Sequence, residues 1–176
     1  MSQVIKILKN KQGNAALYAI VVALCLILLF TVISEYFRLQ MIASGVRDAL
    51  QSSVIAIATE NYDEVYNGLR EGYSGGYQRN ETGSWEERVD SGAVFMKLSN
   101  KLGLINGTKY SGGYLEYRLY DLDVQINNAP FATRDNDNRF ESEAWVTLLV
   151  PLSFGWEHLP PMKIRLKVNA GYSPKF

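Results

Sequence analysis

The sequence predicts an α+β protein: a long N-terminal helix, first membrane-spanning and then amphipathic, followed by a small antiparallel-sheet domain with one packed helix. Three observations predict it. Residues 14–34 carry no charge. Apolar residues then recur at steps of three and four as far as Ala58. Later segments starting at residues 114, 140 and 162 alternate apolar and polar side chains.

The 21 uncharged residues 14–34 would make roughly 30 Å of helix, about the thickness of a bilayer core. A core helix of a soluble protein does not need such a length without charge. A cleaved secretory signal has a shorter apolar region ending at a small-x-small site. This run instead ends in Ser34-Glu35-Tyr36-Phe37-Arg38. The helix is therefore expected to stay attached, as a single-pass anchor over 14–35. Lys6, Lys9 and Lys11 precede it, and the first basic residue after it is Arg38. The positive-inside rule places the N-terminus in the cytoplasm and the chain from about residue 36 onward outside.

Residues 36–60 contain no proline and one glycine, Gly45. Leu39, Ile42, Val46, Ala49, Leu50, Val54, Ile57 and Ala58 mark one helix face, with Arg38, Gln40, Arg47, Asp48 and Gln51 as polar complement. One helix is expected over 14–59. The glycine- and tyrosine-rich segment 62–82 reads as an irregular connection. Ser84 and Glu87 have the spacing of a capping box, which predicts a helix over 85–101 with Val89, Ala93, Met96 and Leu98 inward and Gly103 as its stop.

Strands follow over 114–126, 140–154 and 162–170. In the first, Leu115, Tyr117 and Leu119 share one parity and Leu122, Val124 and Ile126 the other, which predicts a bulge near Tyr120. In the last, Lys163, Arg165 and Lys167 fall on the wet side, with acidic neighbours as their natural company. The proline-bearing stretch between the last two strands suits a hairpin loop. These strands belong to an extracytoplasmic domain over 61–176.

The chemistry is sparse. Eighteen basic and 18 acidic residues balance, so nucleic acid has no electrostatic claim on the chain. The one cysteine, Cys25, lies in the apolar run, and the one histidine is His158. Catalytic Cys/His or Ser/His sets and thiolate metal sites are therefore not expected, and no cofactor or metal is implied. Asp135 and Asp137 stand two apart as in calcium loops, but Arg139 takes the next alternate position and the turn glycine is missing. A solvated loop is the expectation there. An extracellular enzyme would need an acidic pair brought together by folding. Glycosylation sequons start at Asn80 and Asn106.

The order of these features resembles a known family. A short basic leader, Gly13, then an uncharged helix running into an amphipathic one is similar to the N-terminus of type IV prepilins. Within that group the likeness is to the TadE-like minor pilins (pseudopilins) of tight-adherence, or Tad/Flp, pilus systems. It rests on Gly13-Asn14-Ala15-Ala16-Leu17, on the stretch "RLQMIASGVRDALQSSVIAIA", and on a strand ending "VPLSF" before a proline-bearing loop and "MKIRLKVNAGY". It covers roughly residues 9–59 and 140–172. The resemblance implies that a prepilin peptidase cuts between Gly13 and Asn14, removing the leader 1–13, and that Ala15, Ala16, Leu17 and Tyr18 begin an assembly and anchor helix. It also implies membrane lipid, other pilin-like subunits and the pilus assembly machinery as partners, and a non-enzymatic role in a cell-envelope filament. Tyr18 stands where the family pattern has glutamate, the residue thought to register neighbouring subunits. That departure points to an accessory subunit more than to a main filament subunit. The second reading is an uncleaved, signal-anchored binding module outside the membrane, with segments 62–82 and 127–139 as adaptable contacts.

Overall fold

A computed structural model describes residues 11–60, 77–79, 81–87, 89–128, 139–153 and 159–172. The chain divides into two compact units, Met1–Gln40 and Met41–Phe176. Helix α1 (Lys11–Glu60) passes from the first into the second, longer by a few residues at its N-terminus than the periodicity predicts.

In the second unit, α1 buries Val46, Ala49, Leu50, Val54, Ile57 and Ala58, six of the eight residues assigned to the stripe. Leu39 and Ile42, nearer the apolar run, are half-buried. Ser53 lies within the stripe and stays satisfied because its hydroxyl donates to the Ala49 carbonyl at 2.7 Å. Arg47, Asp48 and Gln51 face solvent, as the pattern requires.

Strands β1 (Tyr77–Arg79) and β2 (Trp85–Glu87) form an antiparallel hairpin. This corrects two expectations. The last residues of the segment read as irregular are a strand, while 61–76 lie outside the described residues. The predicted helix over 85–101 begins later, as α2 (Ser91–Leu102). Its cap is Asp90, not Ser84: the carboxylate accepts from the Gly92 and Ala93 amides at 3.1 Å each. An aspartate at the N-cap satisfies two orphan donors directly, whereas Ser84 and Glu87 are committed to the hairpin. Val89 and Val94, at the two positions of a hydrophobic staple, are both buried. The shifted start turns Met96 outward, 62% exposed, and leaves Val94 and Leu98 as the buried pair. Gly103 does end the helix, at φ 64, with Leu104 N–H reaching the Ser99 carbonyl.

A four-stranded antiparallel sheet follows in chain order: β3 (Thr108–Ser111), β4 (Tyr114–Asn128), β5 (Phe140–Val150) and β6 (Met162–Tyr172). The β3–β4 turn uses Gly112 and Gly113, both at positive φ, the requirement of a two-residue hairpin turn. Strand β4 carries the predicted bulge. Tyr120 pairs with Thr147 but Asp123 with Trp145, so Asp121 and Leu122 together oppose Val146. Asp121 takes φ 52, a left-handed conformation that aspartate tolerates. The inner face of β5 holds Phe140, Ala144, Val146, Leu148 and Val150, none measurably exposed. β5 ends at Val150, earlier than predicted, because Pro151 has no amide for the ladder. β6 pairs with β5 over eleven residues without irregularity and buries Leu166, Val168 and Ala170. Met162, of the same parity as these three, is 42% exposed at the strand's first position.

Candidate functional site

The predicted site residues are at the start of α1. Gly13 and Asn14 lie inside the helix, which begins at Lys11. Ala15, Ala16, Leu17 and Tyr18 follow, all exposed, Tyr18 to 71%. Exposure continues all round the helix through Phe37, broken only at Glu35. This segment is long and apolar enough to cross a membrane, and none of its apolar window is buried by the protein. Over residues 14–34 it carries no charge on any side, the pattern compatible with a single-pass membrane anchor.

Its few polar groups are managed locally. Thr31 Oγ1 donates to the Ile27 carbonyl at 2.9 Å. Glu35, 6% exposed, accepts from Arg38 Nη2 at 2.6 Å and from Nε at 3.2 Å. The first charge after the run is thus neutralised by a partner one turn on. A lone carboxylate next to hydrocarbon would be costly, and a bidentate guanidinium partner offsets that cost. Beside the pair, Tyr36 and Phe37 meet edge to face at 5.9 Å between ring centres. Aromatic rings are thus found at both ends of the apolar segment: Tyr18 at one, Tyr36 and Phe37 at the other.

In the second unit the polar chemistry is on the outer face of the sheet. Lys167 Nζ bonds Glu143 at 2.8 Å and stands 5.4 Å from the centre of the Trp145 ring. Lys163 Nζ stands 5.5 Å from the centre of the Tyr120 ring. The expected acidic neighbour of the basic row is therefore present for Lys167. On the inner side, burial raises the Tyr117 phenol above its ordinary 10.0, with a smaller push from the Glu116 carboxylate. Among the described residues no three of His, Cys, Asp and Glu come together as metal ligands. The Asp135/Asp137 loop and His158 lie outside the described residues, as does the Asn80 sequon. Asn106 sits exposed in a tight turn at φ 50, a place where a sequon is accessible.

Sequence reading missed the short strand β3 and the ring of side chains around Thr147. The first had a signal in Gly112-Gly113 between apolar-polar alternations. The second needs the cross-strand register, which no single segment carries. No protein-family model matches this chain, and no curated protein or solved structure does either.

Proposed function

We propose that the chain is a membrane-anchored, pilin-like subunit, of the TadE-like minor pilin type, serving a bacterial Tad or related type IV-like pilus or secretion apparatus. The observation that carries this reading is the single unbroken helix Lys11–Glu60. Its first part is uncharged and exposed on every side, and its second part buries a stripe in an α+β unit. That is the division of labour a pilin-like subunit needs: one helix surface for lipid and neighbouring helices, one for its own globular part.

The aromatic residues support a specific register. From Tyr18 to Tyr36 is about 27 Å of helix rise, close to the hydrocarbon thickness. Tyrosines favour the two interfaces, where the ring is apolar and the hydroxyl is wet. Tyr18 at the cytoplasmic interface and Tyr36 with Phe37 at the outer one would bracket the span, with the Glu35–Arg38 pair at its outer edge. In this reading Tyr18 is a depth anchor, a different task from the subunit-registering carboxylate of the family pattern. The leader lysines lie on the cytoplasmic side, within reach of the prepilin peptidase, and the sheet lies outside.

Mass spectrometry of the protein from cells with an active prepilin peptidase tests the reading. A mature chain starting at Asn14, and an unprocessed one for Gly13→Ala, are the expected results. Retention of residues 1–13 in the wild-type chain would favour the signal-anchored binding module.

A further inference from the structure

The outer face of the sheet holds a hollow that the anchor reading does not use. Thr147 is on its floor, 5% exposed. Its neighbours on that face are all larger: Trp145 and Leu149 along β5, and Tyr120 and Arg165 directly across on β4 and β6. One small side chain within a ring of large ones leaves a depression of about 490 Å³, lined by Asp121, Thr147, Lys163 and Arg165. Lys163 starts on β6, yet its ammonium reaches the Tyr120 ring on β4, so it crosses over β5 beside the hollow.

The charges here are unlike those one step along the strand. Lys167 has Glu143. Among the described residues, Lys163 and Arg165 have no carboxylate within 4.0 Å. Asp121 lines the same hollow, held by the bulge at φ 52, without an ion pair to either cation.

We propose that this hollow binds a phosphate group that carries an ammonium or hydroxyl close by. Two cations favour an oxyanion. A tetrahedral phosphate offers oxygens in directions that can meet an ammonium, a guanidinium and a hydroxyl from different sides, while a carboxylate's acceptor sites lie in one plane. Asp121 repels a bare anion and accepts a hydrogen bond from the ligand's own donor, so it selects the two-headed group. Soluble phosphate esters and phospholipid headgroups share this chemistry.

The test is a backbone-amide NMR titration of the full chain in maltoside micelles at fixed ionic strength, with phosphoethanolamine, glycerol 3-phosphate and inorganic phosphate as probes. Shifts should centre on Asp121, Thr147 and Arg165, with the two esters bound about fivefold or more tighter than inorganic phosphate. Arg165→Gln should weaken the esters about tenfold, and its unchanged inner-face resonances would show that the sheet still folds. Asp121→Asn, which keeps the left-handed position, should bring inorganic phosphate level with the esters. Displacement of phosphoethanolamine by phosphatidylethanolamine bicelles would identify a lipid headgroup as the source, and binding of the free esters alone a soluble one. Absence of shifts at these three residues, or equal binding of all probes that chloride abolishes, overturns the proposal.

Discussion

In the first part of α1, Leu17 and Phe30 are 61% and 72% exposed; in its later turns, Leu50 and Val54 are not exposed at all. Both stretches are strongly apolar and belong to one helix. They differ in the placement of polar residues. Residues 14–34 have no charge on any side, so no rotation of the helix could present a wet face. Around Leu50, the charged Arg47 and Asp48 and the polar Gln51 occupy the side opposite the stripe. An apolar cylinder requires an apolar medium, whereas an apolar stripe can be served by the protein's own core. The same apolar character therefore gives a candidate membrane span in one place and part of a buried core in the other.

That division breaks most visibly at Leu50. Leu50→Ala should destabilise the second unit by about 2–5 kcal/mol, the usual cost of emptying a fully buried leucine site. Leu26→Ala, at a site 61% exposed, should leave the melting curve of that unit where it was. Thermal circular dichroism of the two variants in detergent makes the comparison; equal loss in both would mean that the two regions are not distinct. A pair of glycines sharpens it further. At Gly107, with φ 75, an added Cβ would come within 2.7 Å of the Leu119 carbonyl oxygen and 3.3 Å of the Phe95 ring. Gly107→Ala should cost about 1–3 kcal/mol, because both the backbone and the close approach resist it. At Gly45, in α1, an added Cβ meets nothing within 4 Å. Gly45→Ala should stabilise the helix by about 0.5–1 kcal/mol, the propensity difference alone.

The smallest effect comes from Tyr117 on the inner side of β4. Its phenol is raised in the folded state, so the native protein holds that proton more tightly than the unfolded chain does. The contribution is fully present below about pH 10 and is lost as pH rises through the folded value. Melting temperature should therefore fall as pH rises above about 10, and Tyr117→Phe should fall less steeply over the same range. A parallel decline in both variants would remove Tyr117 as the cause.

Much of this architecture was legible because its longer elements announced themselves within a short window. The lack of charge over 14–34, the three-and-four stepping from Leu39 to Ala58, and the alternation in 162–170 are local signals. The phase shift in 114–126 even located the bulge. The errors came where two local signals competed. Ser84 and Glu87 have the spacing of a helix start, but six residues after Ser84, Asp90 captures two amides of α2, and Trp85–Glu87 pair with Tyr77–Arg79 instead. The residues of the predicted anchor site could be named from the chain, and their exposure follows from composition. The hollow over Thr147 could not, because it depends on which residues of β4 and β6 are opposite it.

The bulge at Asp121 has a consequence for how this sheet can change over time. It acts as an inserted letter does in a reading frame. Upstream of it, odd-numbered residues such as Tyr117 and Leu119 point to the core; downstream, even-numbered ones do, among them Leu122, Val124 and Ile126. Losing Asp121 would put the second half of β4 out of phase, facing three apolar side chains to water and their polar neighbours to the core. A compensating change would have to be another single-residue shift in the same strand, not a set of ordinary substitutions. Length, more than composition, is what this strand has least freedom to vary.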